Sequence, residues 1–497
     1  MVMTSKSVRV SRLPGVLLLG LILSWPAAAA RSQTAAEPAP IFTRSEPLGP
    51  TITARPGSDE VLDLNACVAE ALRTNDALTA ERLRRRELEG KMKQALATGL
   101  PTLDLVGDWT RSRDPSFALD STFGNLDSGM GDLGFAFPGP GEIPAQTFLR
   151  TNLNLSWTIN PVQILGAVGA ARLGIDQQEL AITSVEQSTA ETTTAAYHRI
   201  IRAAEKIQAV RAELANQNEL LDIMKMRYEL GLATRLDTLQ AAVTLANIRP
   251  QLSIAQADLR NEGSRLNALM GRRPEDPIGI ANSQVVERDP IVEQTALELA
   301  QMRPDIVATA LFVDILRKNR QAQVSESRPY LTVNGAYGYV GKTFDSVFDD
   351  GHDAWRASVA LNVPLFDGLR TKGLVIETDG RIRRTEAELT GRRRDVQVEV
   401  LEILANLRMA RQVLAAVLLN LERSEEVLDE SLLMLQLGKI NYLDVLVSES
   451  NRAQARSNVI DARYEVLRLT AALKRALGYS PLVALADIPG LVPEVNR

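Results

Sequence analysis

The second half of this chain repeats the first. Gly231 and Gly438, Leu236 and Leu443, Asp237 and Asp444, Leu239 and Leu446, Leu266 and Leu473, Gly271 and Gly478, and Pro274 and Pro481 all pair at one offset, 438 − 231 = 207. A repeat of this kind constrains the architecture before any other reading, because whatever one half builds the other builds too. Upstream, Pro101 in "TGLPTLDLVGDW" answers Pro329 in "ESRPYLTVNGAY" at an offset of 329 − 101 = 228. The first half therefore holds 228 − 207 = 21 additional residues, which fall in 114–145, a stretch rich in Gly, Pro, Asp and Phe. That composition reads as a loop.

Each half runs through the same elements. A helical stretch (61–99 and 290–328) leads into two segments that leave the helical period for alternation of polar and apolar residues. Asn152, Asn154, Ser156 and Thr158 alternate with Leu153, Leu155, Trp157 and Ile159. In the second half Trp355, Ala357, Val359, Leu361 and Val363 oppose Arg356, Ser358, Ala360 and Asn362. Before these, Leu103, Leu105, Gly107 and Trp109 oppose Asp104 and Asp108, and Leu331, Val333, Gly335, Tyr337 and Tyr339 oppose Thr332, Asn334 and Gly338. Four strands are expected, at about 101–112, 150–160, 329–341 and 355–365.

Helix then takes over. No proline occurs in 166–230 or 369–437, and at about 1.5 Å per residue each stretch makes a rod of roughly 100 Å. Val400, Leu407, Leu414, Leu421, Leu428 and Leu435 recur every seven residues, the period by which helices pack side by side as coiled coils. After Gly231 and Gly438 a shorter amphipathic helix closes each half at "LMGRRP" and "LGYSP", with Pro250 expected to kink the first. A helix-breaking glycine followed by Leu-Asp marks the tip of a helical hairpin, so the chain has two such tips.

Composition supports long helices over an ordinary enzyme core: 497 residues are 45% hydrophobic but only 4% aromatic, with net charge −5, one Cys and two His. The start reads as a secretory signal over 1–30, with Lys6, Arg9 and Arg12 ahead of an apolar stretch at 13–25 and a small-residue site at Ala27 to Ala30. Residues 31–60 read as a linker, 61–281 and 282–481 as the two repeats, and 482–497 as a tail. Beyond the signal no run of eighteen apolar residues occurs. That argues against a helical span but not against a barrel of short amphipathic strands.

Four strands are too few to close a membrane barrel, for which about eight is the lower bound. An open sheet would leave unpaired backbone groups in lipid, so the chain is expected to pool strands with other copies.

This arrangement, with the signal, the duplicated helix-strand-strand-helix-helix plan, the paired G-x-x-x-x-[LV]-D tips and the L-x-x-[LA]-x-G endings, resembles the outer membrane efflux protein family, the TolC-like exit ducts of Gram-negative bacteria. The resemblance covers about 61–481. It implies a mainly α fold with a small β part, in which a homotrimer shares a twelve-stranded transmembrane β-barrel in the outer membrane and a long α-barrel crosses the periplasm. It implies a passive duct that works with a periplasmic adaptor protein and an inner-membrane pump in efflux or type I secretion, passing small molecules or secreted proteins. Loops 114–145 and 342–354 would be extracellular, and outer-membrane lipid would surround the barrel. In the family the tapered periplasmic end is a gate, where Asp237 and Asp444 match aspartates of that region and would form carboxylate rings about the threefold axis. Equally, each Asp can cap the helix after its glycine. Gly231 and Gly438 would form the hairpin-tip turns and the adaptor contact. The family's bridging arginine position holds Ile440 and that of a second constricting aspartate holds Val447, leaving Arg235 and Lys439 as candidates for bridging.

Other signals point to ordinary roles. Cys67 in "LNAC" mimics a lipidation box but sits in an amphipathic run, as a small buried helix residue. "GMGDLG" at 129–134 fits G-x-G-x-x-G without a flanking strand and helix. Arg84 to Arg86 and Arg392 to Arg394 read as solvated helix faces, not nucleic-acid patches. His198 is expected on a polar helix face and His352 in a loop, neither with metal-ligand spacing. No catalytic constellation, cofactor or metal site is expected. The competing assignment from a different class is a periplasmic coiled-coil adaptor of the membrane fusion type, which would need a strand-rich domain of its own and one hairpin rather than two.

Overall fold

The computed structural model describes residues 52–55, 61–112, 145–282, 286–343 and 351–493. The chain divides into units 1–46 and 47–497, and everything below lies in the second. The signal segment, "GMGDLG", nearly all of the loop at 114–145 and the middle of the loop at 342–354 lie outside the described residues.

Two long helical hairpins dominate. In the first, α3 (Pro161–Glu229, 69 residues) packs against α4 (Arg235–Leu269); in the second, α7 (Arg370–Gln436, 67 residues) packs against α8 (Tyr442–Ala476). Of the heptad series, Val400, Leu407, Leu414, Leu428 and Leu435 are buried and Leu421 is half-buried. Helix α4 runs through Pro250 without interruption, although proline leaves one helical carbonyl without its usual donor. No helix among the described residues is long and apolar enough to cross a membrane, which says nothing about the strands.

The helical stretches expected at 61–99 and 290–328 are each broken. In the first, β2 (Val61–Leu62) precedes α1 (Leu64–Thr74) and α2 (Asp76–Ala97). Asn75 makes the break: its backbone is extended, its N–H closes α1 on the Ala71 carbonyl at 2.9 Å, and its side chain accepts from Leu78 N at 3.0 Å to open α2. In the second, α5 (Glu293–Ala300) gives way to α6 (Pro304–Val324), with Pro304 in the first turn, where its missing N–H costs nothing.

A small sheet that sequence periodicity did not reveal lies near the middle of the chain's helical length. Strand β1 (Ile52–Arg55), from the stretch read as linker, pairs antiparallel with β5 (Ile278–Ile280), and β2 pairs parallel with β5. It covers a core of Cys67, Ala71, Tyr197, Ile200, Ile201, Leu266 and Met270. In the second half the core is Val400, Leu404, Leu407, Leu469 and Leu473. Onto it fold Leu485, Ile488, Leu491 and Val492, all buried, so most of the stretch read as a tail is packed structure. Its backbone is tied down where Val292 N donates to Leu491 O at 2.9 Å.

The four expected strands form one antiparallel sheet in the order β3-β4-β6-β7: β3 (Thr102–Ser112), β4 (Gln146–Ile159), β6 (Tyr330–Gly341) and β7 (Asp353–Asn362). Sheet and helices meet tightly. Trp157 donates its indole N–H to Gly99 O at 2.9 Å, and Asn160 caps α3 while its amide donates to Ser325 O at 3.1 Å. At the start of α3 a Cβ on Gly166 would lie 2.9 Å from the Ala322 Cβ of α6. Glycine lets those two helices close.

Candidate functional site: an amphipathic sheet and two hairpin tips

Register assigns every strand residue to a face. Leu103 faces Leu155, Leu105 faces Leu153, Leu153 faces Tyr337, Tyr337 faces Trp355, and Val333 faces Val359. These form one continuous apolar surface, because cross-strand partners share a face. Asp104, Asn154, Asn334 and Ser358 occupy the other. The apolar face is bare in one protomer: Leu105 is 73% exposed, Trp355 75% and Val359 71%. Strands β3 and β7 are each paired on one side only, leaving two open edges. Exposed apolar residues also line the helices, among them Leu236, Leu239, Val243 and Ile254 on α4 and Val398, Met409, Val413 and Val427 on α7.

At the other extreme of the hairpins the repeat is reproduced atom for atom in kind. Gly231 (φ 72°) and Gly438 (φ 68°) adopt the left-handed conformation that ends α3 and α7. Leu232 N donates to Arg227 O at 2.8 Å and Lys439 N to Met434 O at 2.9 Å, closing both helix ends with the same motif. The next helices open with capping boxes. Asp237 N donates to Thr234 Oγ1 at 3.2 Å while Thr234 N donates to Asp237 Oδ2 at 2.8 Å; Asp444 N donates to Asn441 Oδ1 at 3.1 Å and Asn441 N to Asp444 Oδ2 at 3.2 Å. Both aspartates are thus helix caps. Asp237 is half-buried and Asp444 exposed.

Between the tips lies an apolar cluster drawn from both repeats: Leu220, Met224 and Ala241 with Leu428, Leu435, Tyr442 and Val445. Ile440 packs against it. Tyr442 is 3% exposed, and its hydroxyl has no hydrogen-bond partner among the described residues. Burial pushes its pKa up, and the nearby Asp237 carboxylate adds to that. Arg235 and Lys439 are exposed and form no ion pair among the described residues. The polar link across the tips is Arg227, whose Nη1 donates to Leu435 O at 3.1 Å.

Away from the tips, charge joins the two hairpins instead. Asp461 on α8 takes Arg202 at 2.7 Å and Lys206 at 2.9 Å from α3. Burial works against that carboxylate, but the two cations outweigh it and hold its pKa below the usual range. Arg463 reaches Glu205 at 3.0 Å, and Asn216 with Arg452 holds the buried Glu449. Burial raises the pKa of Glu213, with Glu449 adding to it. Arg452 and Glu449 stand three apart on one helix, but sequence reasoning missed the pairs that cross from α3 to α8, whose partners lie more than 200 residues apart.

His198 is not on a polar face: it is 8% exposed, and burial, with Lys474 nearby, pushes its pKa down to about 4. Cys67 is fully buried, and burial pushes its thiol up to about 12. The two arginine runs are exposed, as expected of solvated faces. The backbone carbonyl of His352 accepts from Val340 N at the end of β6.

The model of a family described as "Outer membrane efflux protein" matches residues 67–272 and 296–479. The outer membrane protein TolC of Vibrio cholerae is 24% identical over 292 residues, 57% of this chain and 66% of that one. The outer membrane efflux protein BepC of Brucella suis is 22% identical, over 68% and 74%. Among solved structures, the outer membrane protein VceC of Vibrio cholerae superposes with a TM-score of 0.70 at 21% identity, covering 84% of this chain and 96% of that one. The open state of the MtrE outer membrane channel of Neisseria gonorrhoeae gives 0.70 at 17%, covering 89% and 98%.

Proposed function

We propose, from the premise that the chain belongs to the outer membrane efflux protein family, that three copies build one passive exit duct through the outer membrane of a Gram-negative bacterium. The observation that carries this reading is the sheet β3-β4-β6-β7. It has an apolar face suited to lipid, a polar face suited to water, and two edges that lipid cannot satisfy. Three copies of four strands give twelve, above the roughly eight that a closed barrel needs. Pairing β7 of one copy with β3 of the next removes every edge, and the exposed apolar residues along α4 and α7 then meet neighbouring helices rather than water.

The duct does no chemistry of its own. Substrates, whether small molecules or secreted proteins, arrive from an inner-membrane pump through a periplasmic adaptor that engages the hairpin tips around Gly231 and Gly438. Arg235 and Lys439, which form no ion pair among the described residues, would bridge to a neighbouring copy or to that adaptor. Asp237 and Asp444 cap their helices and, tripled about the axis, also ring the narrow end with carboxylates that attract cations. The adaptor assignment for the chain itself finds no supporting feature, since an adaptor has no use for a lipid-facing sheet.

The test is single-channel conductance of the detergent-purified oligomer in planar bilayers, with divalent cations titrated from the periplasmic side. Asp237→Asn and Asp444→Asn keep cap acceptors but remove the charge. A small cation-selective conductance whose divalent block weakens in both variants supports duct and ring. Unchanged block removes the ring, and a folded oligomer that neither inserts nor conducts removes the duct.

A further inference from the structure

We infer that the two hairpin tips within one protomer are latched shut by an apolar clasp centred on Tyr442, in place of an ion pair. The inference rests on the duct reading, because a latch matters only where the tips close a passage. Four observations converge on it. The cluster between the tips is built from both repeats, so Leu220, Met224 and Ala241 on one hairpin bury the same surface as Leu428, Leu435 and Val445 on the other. Tyr442, the largest side chain in that cluster, is 3% exposed although it stands in the first turn of α8, next to solvent-exposed Asn441 and Leu443. Ile440 turns onto the same cluster, where a cation would have to be buried. Asp237 and Asp444 hold their own caps, and Arg235 and Lys439 reach no carboxylate among the described residues.

The physical consequence differs from that of a charged latch. Exposed ion pairs weaken as salt shortens the screening length from about 10 Å at 0.1 M to about 3 Å at 1 M. An apolar contact does not weaken under those conditions. The Tyr442 hydroxyl adds nothing to closure, because a buried hydroxyl without a partner is a cost. The ring is what holds.

The experiment reads leak through the closed duct in planar bilayers at 0.1 M and 1 M salt, for wild type, Tyr442→Ala, Tyr442→Phe and Met224→Ala. Leu316→Ala, a buried residue in a separate cluster beside Val313 and Ile382, shows what lost stability alone does. Tyr442→Ala and Met224→Ala are expected to raise the open-to-closed ratio on the order of 10- to 100-fold. Tyr442→Phe should stay as tight as wild type or tighter, and Leu316→Ala should not leak. The ratio of Tyr442→Ala leak to wild-type leak should be the same at both salt concentrations. A tight Tyr442→Ala duct, a leaky Tyr442→Phe duct or a Tyr442→Ala effect that disappears in 1 M salt overturns the clasp while the duct stands. Should neither wild type nor any variant enter the bilayer, the duct reading falls and the clasp falls with it.

Discussion

Replacing Gly338 with alanine should damage the four-stranded sheet, and the reason can be read from one strand. Gly338 of β6 pairs with Asn152 of β4. A Cβ built on it would collide with the Thr151 carbonyl oxygen and Asn152 Oδ1 and sit 2.7 Å from Asn152 Cα. The side-chain oxygen can swing away, but the carbonyl and Cα belong to the strand itself. Ordinary contact begins at 3.4 Å, so the strands would have to part by more than about 1 Å, against a spacing of about 4.8 Å that their hydrogen bonds fix. Overpacking against an immovable neighbour costs about 3 kcal/mol per chain, and the proposed trimer would carry the lesion three times. Gly335, three residues earlier in the same strand, supplies the control: a Cβ there meets Leu155 at 3.6 Å, ordinary contact. The assay is guanidinium unfolding of the purified oligomer, followed by circular dichroism and by survival of the oligomer on unheated gels. Gly338→Ala should lower the midpoint clearly and Gly335→Ala hardly at all. Indistinguishable midpoints for the two would refute the close approach.

Acid should loosen the middle of the molecule through His198. Its pKa is pushed down to about 4, chiefly by burial, so its neutral form contributes stability in full above the ordinary value and loses it as pH falls through about 4, up to about 3 kcal/mol. Unfolding midpoints measured between pH 7 and 4 should therefore fall less steeply in His198→Gln than in wild type. Gly231→Ala and Gly438→Ala force a Cβ into the left-handed region and should each cost about 1 kcal/mol, read as faster amide exchange confined to the tips. Cys67, fully buried with its thiol pushed up to about 12, should resist alkylation at pH 8 until the chain is unfolded, which mass spectrometry would detect.

Much of this fold is legible in the sequence because its elements are long or repeated. Leu428 and Leu435 announce their helix as members of a heptad series, and Asn152 to Ile159 announce a strand by alternation over eight residues. Where elements are short, pattern has nothing to count. Strands β1, β2 and β5 hold four, two and three residues, and Ile52 finds its partner Ile280 across more than 200 positions. Asn75 interrupts a helical period without disturbing it, since residues on either side keep helical spacing. At the tips, Asp237 and Asp444 were readable as caps or as gate residues, and local hydrogen bonds identify the caps. What the sequence could not convey is that Tyr442 turns inward, because that depends on a cluster completed by Leu220, Met224 and Ala241 from the other repeat.

The buried segment from Leu485 to Val492 carries a consequence for the order in which the molecule is made. Val292 waits for Leu491, 491 − 292 = 199 residues later, before its backbone is paired, and Ala296 and Ala300 wait equally long for Leu485 and Ile488 to cover them. Contacts this distant in sequence form late, since the intervening loop must close first. A chain emerging from an export channel can therefore zip its hairpins early while its waist stays open. Interrupted synthesis or clipping ahead of Leu485 would leave that apolar core uncovered, an exposed target for proteases before three copies could assemble.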